Sequence, residues 1–198
     1  MAEEKWATPA PLGFAALALV CLGFGSSFLG WIPKENVPIL FALGLGGGVA
    51  QIIAGIIDLK RGDAIGGNLL ATFGCMFMLT PAFVFLLAAL KLGVPTPLLG
   101  YVNILLGIFL GLYMIPLVRA PIIMFFIGPL GLVLLVLVGI VELGAHHLQP
   151  IAGWLFIVAV IWGLYMMAHA LGAIGGINIP LGKPLAPIKA PPQKGVSA

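Results

Sequence analysis

The uncharged amide of Gln51 is the first candidate for contact with a solute, because it lies near the centre of a long apolar stretch, Gly44–Arg61. Glycines at three- and four-residue spacing share one helical face with it; they are Gly44, Gly48 and Gly55. Small residues allow a second helix to approach closely in lipid. Hydrocarbon offers no hydrogen bond, so the amide must meet a protein partner, water or a permeant molecule. An interhelical hydrogen bond and contact with a solute both fit this pattern.

The other polar side chains of the apolar segments are also uncharged, which restricts the kind of solute that they suit. Toward the middle of these segments they are Asn68, Thr72, Thr80, Asn103 and Tyr113. Proton pumps and ion-coupled carriers need buried charged groups to bind and relay ions. The pattern therefore favours a small, neutral or weakly charged solute on a narrow apolar path.

The sequence contains no recognisable pattern of catalytic or metal-binding residues. It has no phosphate-binding loop, no haem-attachment motif and no nucleophile paired with a base. Cys21 and Cys75 lie inside apolar runs, and neighbouring side chains such as His146 and His147 point to different faces. We therefore expect no enzymatic activity, no metal and no cofactor. We interpret the two histidines as part of an exposed loop, with pH sensing as the alternative.

The composition is that of an integral membrane protein. Only 8% of the 198 residues are charged, whereas soluble domains contain about 25%. The net charge of +3 is small and the basic residues are scattered, so nucleic acid is not an expected partner. The lipid bilayer is the expected environment.

Six apolar runs are each long enough to cross the hydrocarbon core, which predicts an all-α protein with six transmembrane helices. The runs are Leu12–Trp31, Val37–Ile57, Ala64–Leu90, Leu98–Val118, Ala120–Val141 and Ile151–Leu171. We expect Pro81 to kink the third helix and Pro129 to interrupt the fifth. The expected regions are an N-terminal tail over 1–11, a six-helix domain over 12–172, and a disordered Pro- and Lys-rich tail over 173–198.

The distribution of Lys and Arg predicts the orientation. With six spans, one side of the membrane holds seven of the nine basic residues, and the other side holds Lys34 and Lys91. The side with more basic residues faces the cytoplasm, so both termini are expected there.

Two motifs resemble the signatures of the acetate uptake transporter family. The stretch Thr8–Phe14, TPAPLGF, resembles the family's N-terminal Asn-Pro-Ala-Pro-Leu-Gly-Leu. The stretch Gly46–Gly55, GGGVAQIIAG, which runs on to Lys60-Arg61-Gly62, resembles the second signature. The resemblance extends over residues 8 to 172.

The resemblance implies channel-like transport of acetate and other short carboxylates, with succinate among them. It implies a multi-pass protein of the inner cell membrane, with six-helix protomers, a pore in each, and a homohexameric assembly. A ring of three bulky side chains is expected to narrow the pore; by position these are Leu17, Phe73 and Leu130. The family usually has Phe and Tyr at the first two positions, so the ring of this chain has no hydrogen-bonding group.

The residues at the mouth of the first helix, Thr8, Leu12 and Gly13, complete the expected pore site, with Gln51 deeper inside. A helix N-terminus is a natural anion site. We hypothesise that the acid waits there and then crosses the ring in protonated form, because a bare carboxylate in an apolar ring is costly. Two alternatives stay open: a channel for urea, amides or ammonia, and a membrane assembly subunit without transport activity.

Overall fold

A computed structural model describes residues 6–33, 35, 38–92 and 96–186, and it is helical almost throughout. The helices are α1 (Ala10–Phe28), α2 (Ile39–Lys60), α3 (Ala64–Phe73), α4 (Thr80–Ala89), α5 (Thr96–Leu117), α6 (Ile122–Phe125), α7 (Ile127–Glu142) and α8 (Gln149–Ile174). A π-helical segment, Gly74–Leu79, joins α3 to α4, and a short 3₁₀ turn, His146–Leu148, precedes α8. Within the described ranges, six helical spans are long and apolar enough to cross a membrane, which confirms the predicted architecture.

The third span departs from a regular α-helix one turn before the proline that was expected to kink it. Pro81 lies in the first turn of α4, directly after the π-helical segment. The hydroxyl of Thr80 donates to the carbonyl oxygen of Cys75 at 3.2 Å, and the Thr80 N–H also donates to that oxygen. Proline has no N–H to donate to the carbonyl four residues earlier. The irregular hydrogen bonding therefore lies in the wider π turn before Pro81 and not at Pro81 itself.

The fifth span is interrupted at Phe126, between α6 and α7, and the expected interruption at Pro129 is wrong. Pro129 lies in the first turn of α7. The N–H groups of a first turn have no partner within the helix, so the absent N–H of proline breaks no hydrogen bond there. The predicted ends of the other spans differ from the observed ends by a few residues, as is usual at helix termini.

The glycine face of α2 packs against the third span, as the sequence predicts. A β-carbon on Gly48 would lie 2.8 Å from the carbonyl oxygen of Gly74, and one on Gly55 would lie 2.7 Å from that of Gly67. The same close approach joins α5 to α7, where a β-carbon on Gly100 would lie 2.9 Å from the Gly139 carbonyl oxygen. Close contacts of this kind hold membrane helices together where lipid provides no hydrophobic driving force.

Residues 177–186 fold back along the bundle after α8, so the expected disorder beyond residue 172 is wrong for this part. The N–H groups of Ile123 and Ile122 donate to the carbonyl oxygens of Leu181 and Lys183, at 3.1 and 3.2 Å. The side chain of Leu181 is only 8% exposed and packs against Trp162 and neighbouring residues. Residues 187–198, and residues 1–5 of the predicted N-terminal tail, lie outside the described ranges.

Candidate functional site

The helices line a partly open cavity with a volume of about 60 Å³. Side chains from all six spans contribute to its wall. They are Phe14, Leu17, Cys21, Gln51, Leu69, Leu70, Phe73, Phe77, Leu110, Ile127, Leu130, Gly131, Leu134, Leu135, Ala159 and Trp162. A single water needs roughly 10–15 Å³ of such space, so the cavity has room for a solute of a few non-hydrogen atoms.

The three residues expected to form a ring all line this cavity. Leu17 comes from α1, Phe73 from the last turn of α3, and Leu130 from the first half of α7. Phe73 and Leu130 are 6% and 5% exposed, and Leu17 is half-buried. Helices that are distant in the chain thus bring these side chains to one space, and their contribution to it is entirely apolar.

The amide of Gln51 is the main polar group of the cavity wall. Gln51 is 2% exposed, and among the described residues its Oε1 has no hydrogen-bond partner. The indole N–H of Trp162, the other strong donor in the wall, already donates to the carbonyl oxygen of Ile123 at 2.6 Å. A buried acceptor without a partner costs about 1–3 kcal/mol. An amide offers both a donor and an acceptor, so the unpaired Oε1 leaves one acceptor of the cavity wall without a hydrogen bond.

The residues expected at the mouth of α1 do not line the cavity. Leu12 is 45% exposed, and a β-carbon on Gly13 would lie 3.2 Å from the Leu70 side chain. Thr8 is half-buried, and its hydroxyl accepts a long hydrogen bond of 3.4 Å from the Ala10 N–H just before the first turn. Pro9, and not Thr8, holds the N-cap position of α1. The structure therefore separates the helix start from the cavity, and Phe14 is the first residue of α1 in its wall.

Several wall residues were missed by the sequence analysis, although some carry a periodic signal. Phe14, Leu17 and Cys21 follow each other at three- and four-residue spacing, as do Ile127, Leu130 and Leu134. Residues at this spacing share a helical face. If one member of a set lines the cavity, the other members of that set are therefore expected to line it too. Phe77 follows Phe73 at four-residue spacing and carries the same signal. Leu110 has no such signal, because its neighbours along the helix are equally apolar.

Charged groups lie outside the cavity wall throughout the described residues. The carboxylate of Glu142 accepts a hydrogen bond from Nδ2 of Asn103 at 2.9 Å, between α5 and α7. Asp58 and Arg61 form an ion pair of 3.0 Å at the end of α2. No group of three His, Cys, Asp or Glu side chains comes together in the part of the chain that the structure describes.

The fold and the cavity define a helical multi-pass membrane protein with an apolar, solute-sized chamber inside its bundle. No family model matches the chain. The chain is similar to the succinate-acetate/proton symporter SatP of Escherichia coli, with 31% identity over 114 residues that cover 57% of this chain and 56% of that protein. It is also similar to acetate permease A of Emericella nidulans, with 34% identity over 76 residues, 36% of this chain and 24% of the relative. The chain thus spans little more than half the length of the curated relatives that it matches.

The structural comparison extends over much more of the molecule. The structure of the bacterial acetate channel SatP covers 90% of this chain and 100% of its own, with a TM-score of 0.81 and 26% sequence identity. Together with the two relatives, this match shows that the chain is similar to acetate transporters in sequence and in fold. It also supports a multi-pass membrane protein, which in a bacterium is a protein of the inner membrane.

Proposed function

We propose that the chain passes acetate and other short carboxylic acids across the membrane, through the cavity in its six-helix bundle. The observation that carries the proposal is the structural similarity to the acetate channel SatP over 90% of the chain. The geometry of the cavity supports it independently, because its volume suits a solute of a few non-hydrogen atoms. The chain acts without chemical conversion of the solute, and it needs no cofactor for this activity.

The solute crosses the cavity as the neutral acid, because the cavity wall holds no charged side chain. Protonating a carboxylate with a pKa near 4 costs about 4 kcal/mol at pH 7, at about 1.4 kcal/mol per pH unit. Moving the bare carboxylate into an unpaired apolar site costs far more, on the order of tens of kcal/mol by ion-solvation arguments. Protonation is therefore the cheaper route.

Leu17, Phe73 and Leu130 narrow the path, and Gln51 meets the acid where it is narrow. The free Oε1 of Gln51 accepts the hydrogen bond of the acid O–H, and its Nε2 donates to the acid carbonyl. This pair of hydrogen bonds replaces the water that the acid loses on entry. The buried Oε1 of Gln51 gains a hydrogen-bond partner only when a solute is present.

The remaining features of the proposal concern the assembled protein in its membrane. Both termini face the cytoplasm, and this orientation is supported by seven of nine Lys and Arg residues on that side. Six protomers form a hexamer with one pore each, as the family resemblance implies. Native mass spectrometry of the detergent-solubilised protein tests the subunit number, and a monomer or a dimer would contradict the hexamer.

A channel for small neutral solutes is the second candidate function. One observation favours it: the wall offers one amide, a thiol and an indole N–H that already has a partner, and its other groups are apolar. Urea and primary amides pair with Gln51 in the same way as a protonated acid does, because they too present a donor beside an acceptor.

Flux of radiolabelled acetate into liposomes that hold the purified protein separates these functions. We expect protein-dependent acetate flux that rises as the external pH falls and that succinate, but not urea, reduces. Urea flux without acetate flux would support the second candidate. A folded protein that conducts neither solute would refute both and would support an assembly role.

A further inference from the structure

Three phenylalanine rings, contributed by three different spans, pack together at one end of the cavity. Phe77 of the π-helical segment lines the cavity, whereas Phe24 of α1 and Phe156 of α8 pack behind it. The centroid of the Phe24 ring lies 5.6 Å from that of Phe77 and 5.8 Å from that of Phe156, and the Phe77 and Phe156 rings stack at 6.3 Å. All three side chains are at least 94% buried, with exposures of 6%, 5% and 1%. We call Phe24, Phe77 and Phe156 the phenylalanine plug.

The position of the phenylalanine plug along the helices shows at which end of the cavity it lies. On α1 the wall residues stop at Cys21, and Phe24 follows about one turn further on. On α8 the wall residues stop at Ala159, and Phe156 lies about one turn beyond. Phe24 and Phe156 therefore lie beyond the cavity on the side of Trp31 and Trp154. The opposite end of the bundle holds Lys60 and residues 177–186.

No passage remains between α1 and α8 at this level, because the two helices are in close contact. A β-carbon on Gly25 would lie 2.9 Å from Cβ of Phe156, and one on Gly153 would lie 3.2 Å from Cβ of Phe28. Phe28 adds a further ring, 5.5 Å from Phe156 and on the outer side of the plug. A solute in the cavity therefore meets stacked aromatic rings in this direction rather than an opening.

The backbone that carries Phe77 departs from regular α-helical geometry. The π-helical segment interrupts the α-helical hydrogen-bond pattern, and Pro81 has no N–H for the carbonyl four residues earlier, which is that of Phe77. Single π turns inside α-helices occur frequently at functional sites. Of the three rings, Phe77 is thus the one whose backbone has the weakest helical constraint.

We propose that the phenylalanine plug is a second constriction, in series with the ring of Leu17, Phe73 and Leu130, and that it opens by displacement of the Phe77 ring. This inference rests on the proposed function, because a second constriction limits flux only if the cavity belongs to a path. The plug closes the path on the side of Trp31 and Trp154, and it sets an upper size for the solutes that pass.

Cys21 provides a reporter that does not depend on transport. It lies in the cavity wall beside the plug and is 1% exposed. The chain has two cysteines, so Cys75→Ser leaves Cys21 as the only thiol. Methyl methanethiosulfonate, a small uncharged thiol reagent, is added to one face of oriented membrane vesicles at a time. The thiol that remains is then counted with a maleimide after denaturation.

The test variant is Phe77→Ala and the matched control is Phe83→Ala, which removes a ring that is 51% exposed on the same span. From the face where Trp154 lies, we expect Cys21 to react about tenfold faster in Phe77→Ala than in the parent, the order expected for loss of a packed aromatic pair. We expect no change in the control. Phe77→Leu is a milder variant for the case that the alanine variant does not fold.

The outcomes separate the plug from the proposed function. Equal Cys21 reaction rates in the parent and in folded Phe77→Ala or Phe77→Leu would overturn the plug, and acetate flux in the parent would then leave the proposed function standing. A faster reaction in the variants without acetate flux in the parent would support the closure and refute the proposed function. A faster reaction together with faster flux of acetate, and with entry of bulkier acids, is the result that we expect.

Discussion

Replacing Gln51 with Leu should slow acetate flux and at the same time stabilise the protein. These opposite effects have one cause, which is the buried Oε1 that has no hydrogen-bond partner among the described residues. An apolar side chain of similar size removes the unpaired acceptor from a site that is 2% exposed. It also removes the donor and the acceptor that the acid needs.

The structure sets the size of both effects. Relief of one buried unpaired acceptor is worth about 1–3 kcal/mol, and in a chain of this length each kcal/mol raises the melting temperature by about 2–4 °C. The acid loses two hydrogen bonds of about 0.5–1.5 kcal/mol each. The summed loss of about 1–3 kcal/mol corresponds to a flux that is roughly 5- to 150-fold lower, at tenfold per 1.4 kcal/mol.

Gln149→Leu is the matched control, because this second glutamine lies outside the cavity wall and has a partner. Its Nε2 donates to the carbonyl oxygen of Phe28 at 3.1 Å. Gln149→Leu should therefore lower the melting temperature and leave the flux unchanged. Liposome flux assays and thermal unfolding of the purified variants measure the two properties separately. A Gln51→Leu protein that conducts like the parent would refute a direct contact with the acid, and one that melts at a lower temperature would refute the unpaired acceptor.

Three further predictions follow from packing. Gly48→Ala should prevent folding to a monodisperse protein in size-exclusion chromatography, because the added β-carbon would lie 2.8 Å from a backbone oxygen of the π-helical segment. Gly46→Ala is the control and should be tolerated, because a β-carbon at Gly46 has no atom within 4 Å. Leu181→Ala should lower stability by about 2–5 kcal/mol, while Leu185→Ala, at a side chain that is 51% exposed, should change the melting temperature little. Leu130→Ala should widen the ring and raise the flux of acids larger than acetate; unchanged flux in folded protein would argue against its place in the constriction.

The candidate site was predictable in part, and the reason differs from residue to residue. Gln51 is a lone amide in an apolar helix, so composition alone identifies it. Leu17, Phe73 and Leu130 are apolar residues in apolar helices, and only the family resemblance singles them out. Phe24 and Phe156 have neither signal, because their roles arise from contact with Phe77 across three spans.

At the predicted mouth of the path, tertiary structure decides which residues lie near the cavity. The start of α1 is a helix N-terminus, and such termini attract anions. The rotation of α1 in the bundle nevertheless turns Leu12 outward, where it is 45% exposed, and presses Gly13 against Leu70. Proximity to the cavity depends on that rotation, which no property of residues 8–13 specifies.

The sequence by itself determined the class of the protein and the number of its membrane spans. An apolar run of about 20 residues is sufficient to cross a bilayer, because every backbone hydrogen bond is made inside the segment. Tertiary structure alone decided which side chains meet in the cavity, where the helical register breaks at Gly74–Leu79 and Phe126, and how residues 177–186 return to the bundle. The physical reason is that these helices are apolar on all sides, so no polar face marks the direction of the core. Close contacts between glycines and backbone oxygens of neighbouring helices set that direction instead.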